Sequence, residues 1–243
     1  MAQLSPETDP QSQPVLRYCV GENQYGRYCV PLSSSHRPAA KAILAGEAYE
    51  PQTIEFILAH VGEGDVVHAG TYFGDFLPAI SGACAAGARV WAFEPNPENC
   101  RCAAMTCRMN ELKNVDLRQA ALGAAAGYGF LQTADPTGRA LGGASRVLAG
   151  GAESAVRHVE KIPIVSIDEI VTSSRIVSII HLDVEGQERE ALSGALHTIR
   201  RSLPILILEN LPANEWLSTN ILSLGYRAGP RLHANTVLLP RTA

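Results

Sequence analysis

Two stretches of this sequence gather side chains that could do chemistry. The first is residues 65–97, DVVHAGTYFGDFLPAISGACAAGARVWAFEPNP, with Gly70 and Gly74 in a turn, Asp75 directly after it, and Glu94 closing a second apolar run. The second is DVEGQE, where Asp183, Glu185 and Glu188 surround Gly186; the acid–amide pair Glu209-Asn210 follows the next apolar run. A carboxylate at the end of a strand can accept hydrogen bonds from ribose hydroxyls, take a proton from an alcohol, or bind a hard cation. Glycines in the adjoining turn let the backbone come close to a ligand.

Such groups need elements to hold them. Residues 65–97 read as strand, glycine turn, helix (76–86) and second strand (89–93), a βαβ unit of the kind that binds nucleoside cofactors. A dinucleotide fingerprint requires G-x-G-x-x-G, whereas Thr71, Tyr72 and Phe73 separate the two glycines here. The missing glycine at the pyrophosphate position disfavours a nicotinamide cofactor and an oxidoreductase. The looser turn followed by Glu94 suits S-adenosylmethionine, which has no phosphates, with Glu94 accepting from the ribose.

The rest of the chain supports a layered α/β architecture. Residues 1–14 are polar and proline-containing and read as a mobile tail. Residues 15–50 read as an N-terminal hairpin and cap, with Cys19 and Cys29 placed to face each other across it, and 51–243 as the main domain. Pro51 and Pro97 mark helix starts, and 115–122 and 128–132 read as strands. Residues 133–158 lack any sustained period and read as a mobile loop near the acceptor, with Ser145 and Arg146 as substrate contacts. Residues 176–182 form a continuous apolar strand, the pattern of a parallel strand buried on both faces. A helix at 187–201, a strand at 204–208, a helix at 216–224 and a closing antiparallel pair complete a doubly wound, mostly parallel sheet.

Composition narrows the classes. The chain has 243 residues, of which 46% are hydrophobic and 18% charged, with a net charge of −4; that describes a globular chain without the basic footprint of a nucleic-acid or membrane binder. No apolar run approaches the ~20 residues of a membrane span. The N-terminus lacks the basic and apolar regions of a signal peptide, so the expectation is a cytoplasmic protein whose six cysteines are free thiols.

AFEPNPEN, QAALG, VSIDEI, HLDVEGQEREALSGAL, PILILEN and LGYR, in this order, resemble the FkbM-type methyltransferase family. The resemblance covers roughly residues 49–240. It implies the class I S-adenosylmethionine-dependent fold, Rossmann-like, with a seven-stranded sheet ending in an antiparallel hairpin, and O-methylation of a hydroxyl on a sugar or secondary metabolite. The implied cofactor contacts are His68, Gly70, Tyr72, Gly74, Asp75, Glu94 and Pro95, with Gln119 and Ala120 placed near adenine. The sequence departs from the pattern twice. The family's first motif resembles DVGANIGDF, so His68 stands for an aspartate and Thr71-Tyr72 for Ala-Asn; in KIDVEG, His181 stands for the lysine. Tyr72 either covers the cofactor or blocks its pocket. The alternative is therefore a catalytically degenerate binding module that keeps the fold.

Two mechanisms fit an alcohol acceptor, and Asp183 belongs to both. His181, two residues earlier on the same strand face, can serve as general base. Asp183, Glu209 and Asn210 are similar in order to the magnesium ligands of catechol-type O-methyltransferases, which implies an Mg2+ site. A His68–His181–Asp183 transition-metal site is a further arrangement, and Glu185 is an expected substrate contact.

Overall fold

The computed structural model describes residues 15–148 and 155–241, so the expected tail at 1–14 and part of the 133–158 loop lie outside the described residues. The first element is an antiparallel hairpin, β1 (Tyr18–Asn23) and β2 (Gly26–Pro31). Its register sets Cys19 opposite Val30 and Val20 opposite Cys29. The two cysteines therefore point to opposite faces and do not face each other as expected; all six cysteines are free. Helices α1 (Pro38–Leu44) and α2 (Pro51–His60) each start on a proline, whose fixed φ and missing N–H suit the first turn.

Next come β3 (Asp65–Ala69), α3 (Leu77–Ala83), β4 (Val90–Phe93), α4 (Pro97–Met109) and β5 (Val115–Arg118). The Asn96 side chain caps α4 by accepting from the N–H groups of Glu98 and Asn99. The strand expected at 115–122 is two strands: beyond β5 the chain turns into β6 (Ala121–Leu122). With β7 (Gly127–Gln132), β8 (Arg146–Val147) and β9 (Val159–Val165) it forms a second sheet, in the order β6-β9-β7-β8. A capping box between Ser166 and Glu169 opens α5 (Ile167–Ile170).

The last part contains β10 (Val177–Leu182), α6 (Glu188–Ser193), α7 (Leu196–Ser202), β11 (Ile205–Leu208), α8 (Asn214–Asn220), β12 (Arg227–Leu232) and β13 (Asn235–Leu239). The single helix expected at 187–201 is broken at Gly194, where any Cβ would collide with the Gly123 carbonyl oxygen.

The large sheet runs β12-β13-β11-β10-β3-β4-β5. Strands β5, β4, β3, β10 and β11 are parallel, and β13 and β12 return antiparallel. One face buries Val67, Ile180, Leu182, Leu192 and Ile199, and the other Ile57, Val66, Ile80 and Ile179. The winding direction reverses between β3 and β10, which is where an open α/β sheet opens a crevice at its carboxyl edge. Among the described residues no helix is long and apolar enough to cross a membrane.

Candidate active site

At the β3–β10 border His68 stands beside His181 and Ala69 beside Leu182. One step further, the Asp183 N–H donates to the Ala69 carbonyl at 3.1 Å. This brings Gly70 against Asp183 so closely that a Cβ on Gly70 would collide with the Asp183 carbonyl oxygen. Gly70 also has a φ of +82°, which favours glycine. The N–H groups of Gly70 and Thr71 both donate to the Phe93 carbonyl, folding the turn back over the end of β4.

Glu94 continues that strand and holds the turn. Its Oε2 accepts from the Tyr72 N–H at 2.7 Å, and its Oε1 from the Asn96 N–H at 2.8 Å and the Asn99 amide at 3.4 Å. Tyr72 takes a left-handed φ of 52° to make this bond. Burial outweighs these bonds and pushes the Glu94 carboxyl up to about 8. An ionised carboxylate has about four acceptor positions, so Glu94 retains capacity for a further donor.

The cleft above this border has two lobes that meet at Gly70, Gly143 and Asp183. The first is mostly apolar, with Ala69, Phe93, Pro95, Ala120, Leu131 and Val147 on its wall and Glu94 at its side. The second is more polar and carries His68, Tyr72, Asp75, His181, Glu185 and Glu209. Tyr49 and Glu50, at the approach to α2, line it too.

Of the residues expected from sequence, Gly70, Glu94, Pro95, Ala120, Ser145 and Asp183 line the apolar lobe. Four lie off both walls. Gly74 packs against α4, and Gln119 is exposed. Arg146 is an exposed side chain that donates to Gln132 at 3.2 Å. Asn210 turns its amide nitrogen to Glu209 at 3.2 Å and Glu188 at 3.5 Å.

The two histidines form a pair. Their Nδ1 atoms are 2.9 Å apart, their rings lie within 22° of parallel, and Phe76 covers both. One Nδ1 must donate and the other accept. Both Nε2 atoms are buried without a partner. Burial lowers His68 far below its usual value and takes His181 down to about 4; Asn235 opposes the shift at His181 by favouring a proton there. Whichever ring donates at Nδ1 keeps a lone pair on its Nε2, and the other ring keeps its proton on Nε2.

Asp183, Glu185 and Glu209 place carboxylate oxygens within 4.8 Å of one another. Among the described residues no histidine joins that group, so a His68–His181–Asp183 metal set does not form. Burial first, then the charges of Glu209 and Glu185, raises the Asp183 carboxyl well above its ordinary range. Asp75 rises to about 7, mainly through burial.

A strap from the inserted segment crosses between the lobes. Gly142, at φ +59°, lies against the Tyr72 hydroxyl and Ser34, and its carbonyl accepts from Asn99 at 3.1 Å. Ser145 accepts from Asn96 at 3.0 Å, and the Tyr72 hydroxyl donates to Ser34 Oγ at 2.6 Å. Tyr72 is thus anchored sideways as part of the divider. Arg37, Gln187 and His233 also line the cleft. They come from the residue that precedes α1, the loop before α6 and the β12–β13 turn, where no local pattern marks them.

The strand order, the reversed final hairpin and the glycine turn define a class I, S-adenosylmethionine-dependent methyltransferase fold. The chain belongs to the family described as the methyltransferase FkbM domain, whose model matches residues 68–227. Among solved structures it is similar to the methyltransferase FkbM from Methylobacillus flagellatus KT at 20% identity and a TM-score of 0.45, over 72% of this chain and 43% of that one. The chain therefore spans less than half the length of that protein. It is also similar to a SAM-dependent methyltransferase from Aquifex aeolicus (15% identity, TM-score 0.40, 78% of this chain and 88% of that one). A third is a tRNA (uracil-54, C5)-methyltransferase from Pyrococcus abyssi in complex with S-adenosyl-L-homocysteine (10% identity, TM-score 0.46, 96% and 47%). No curated protein matches the chain.

Proposed function

We propose that this chain transfers the methyl group of S-adenosylmethionine to a hydroxyl oxygen of a small molecule. The observation that carries this reading is the meeting of an apolar lobe and a carboxylate-lined lobe at Gly70 and Asp183. The apolar lobe fits an adenine ring between Phe93, Pro95, Ala120 and Leu131, and Glu94 stands where ribose hydroxyls would follow. The bare backbone of Gly70 leaves room for the cofactor to pass into the second lobe.

When bound, the cofactor supplies a methyl group on a positively charged sulfur, which departs as a neutral thioether and needs no proton donor. The protein has to align the acceptor oxygen and remove its proton. Asp183 is our assignment for that proton, because burial, and then its crowding by Glu209 and Glu185, raises its basicity. His181 is a poor base near neutral pH: it is buried, committed to His68, and driven down to about 4. The acidic wall repels phosphates, which favours a small molecule over a nucleic acid.

Calorimetric titration with S-adenosylmethionine and S-adenosylhomocysteine tests the cofactor half. Micromolar affinity is expected, and no binding would favour a degenerate binding module. Methyl transfer to oxygen, read by mass spectrometry of a turned-over acceptor, tests the other half; methylation at nitrogen or carbon would overturn it.

A further inference from the structure

Hydrogen-bond acceptors dominate the polar lobe. Asp183, Glu185 and Glu209 gather on one wall with their oxygens within 4.8 Å. Asp75 lines the lobe too, outside that group. His68 and His181 line the lobe as well, each 2% exposed with a buried Nε2 that has no partner; because their Nδ1 atoms share one proton, one of those two Nε2 atoms is an acceptor. Against these groups, Arg37 is, among the described residues, the one permanently cationic side chain lining the lobe, and His233 sits 3.7 Å from Glu50. The cofactor, with a sulfonium and an ammonium against one carboxylate, brings a single net positive charge. Glu185 and Glu209 line only the polar lobe, beyond the junction where the methyl group would arrive. Their charge is left for the acceptor to meet.

We propose, resting on the methyl-transfer reading above, that the acceptor hydroxyl belongs to a molecule carrying a protonated amine, an amino sugar or amino polyol. Its ammonium is held between Glu185 and Glu209 while its hydroxyl reaches Asp183. An ammonium offers three donors and no acceptor, which complements this group; further hydroxyls supply donors to Asp75. A lone divalent cation would neutralise the Asp183–Glu185–Glu209 group but leave Asp75, which lies outside it, unmet. The spread of acceptors around the lobe favours a donor-rich organic cation.

The test is calorimetric titration of the full chain, saturated with S-adenosylhomocysteine, against glucosamine, streptamine and ethanolamine, each paired with its N-acetylated form. The expected result is that the amine member of a pair binds about tenfold or more tightly than its acetylated partner, the size of one charge-assisted hydrogen bond. The preference should vanish in the Glu185→Gln, Glu209→Gln double variant while its S-adenosylhomocysteine affinity stays at the parent level. Equal or tighter binding of the acetylated forms overturns the proposal, as does absence of binding by every amine. So does saturable binding of magnesium alone that the double variant abolishes and that excludes the amines. Failure of S-adenosylhomocysteine to bind would instead sink the methyl-transfer reading, and the same titrations on the cofactor-free protein would still report the preference for a cation.

Discussion

His68 and His181 meet edge to edge across the border between β3 and β10, Nδ1 to Nδ1 at 2.9 Å. They are the two positions where the sequence departs from an aspartate and a lysine in the pattern it resembles. An acid and a base at those neighbouring register positions would meet as an ion pair. Here the pair is neutral and hydrogen-bonded, with Phe76 against both rings.

That pair resists acid. An unfolded histidine takes up a proton near ~6.5, while the folded pair resists it until His181 reaches about 4. Its stabilising share is complete above ~6.5 and is lost as pH falls toward 4. Asp75 and Glu94, raised to about 7 and about 8, act in the opposite sense and add stability as pH falls through those values. The difference between parent and His181→Gln isolates the histidine. We expect the variant's stability, from urea midpoints, to fall less steeply below pH ~6.5, by up to about 1.4 kcal/mol per pH unit. Identical slopes would show that His181 does not resist protonation.

Glu94→Gln should weaken S-adenosylhomocysteine binding by about 1–3 kcal/mol through loss of a charged acceptor. The amide keeps one oxygen for the turn, so folding should survive. Because the parent carboxyl ionises at about 8, its affinity should rise with pH through that value, whereas the variant's should stay flat. Calorimetry at several pH values reads both effects; unchanged affinity in the variant would remove Glu94 from the ribose contact.

Asp183→Asn should lower the rate of methyl transfer by about 10²–10⁴-fold, the range for a positioned acid–base group. S-adenosylhomocysteine binding should largely persist. A variant that turns over normally on a verified acceptor would rule Asp183 out as the base.

Gly70→Ala should cost about 2–4 kcal/mol of stability, since the new methyl must displace the Asp183 backbone and take a positive φ. Differential scanning fluorimetry measures the loss. A variant as stable as the parent would show that the junction of the lobes is looser than the close approach of Gly70 to Asp183 implies.

The sheet was legible because its strands announce themselves locally. Residues 65–69, 177–182 and 205–208 are apolar runs ending in glycine or acid, and the carboxyl-edge rule then puts Gly70, Asp183 and Glu209 together. What local pattern does not encode is pairing at a distance. Leu117 and Ala121 belong to one expected strand in sequence but to strands of different sheets. The contact of Gly194 with Gly123 that breaks the helix is likewise set by packing between remote segments. The metal arrangement expected from sequence did bring His68 and His181 together, but they bond to each other and stay outside the acidic group, while Arg37 and His233 showed no link to the cleft. Gln119 and Arg146 sit in the expected segments but are exposed, while their neighbours Ala120 and Ser145 line the cleft, because successive residues of an extended chain point to opposite sides.

Thr106 has a consequence for the hairpin. Its hydroxyl accepts the Cys29 N–H at 3.0 Å and donates to the Phe73 carbonyl at 2.8 Å. Tyr28, Cys29 and Val30 share one buried cluster with Tyr72 and Phe73. The hairpin therefore works as a backing plate for the glycine turn: pressure on β2 is transmitted through a single hydroxyl to the loop beneath the cleft. A version shortened to begin at residue 51 would leave Phe73 facing water and the turn without its rear support, and its first failure should be in gripping the cofactor, ahead of any loss of the central sheet.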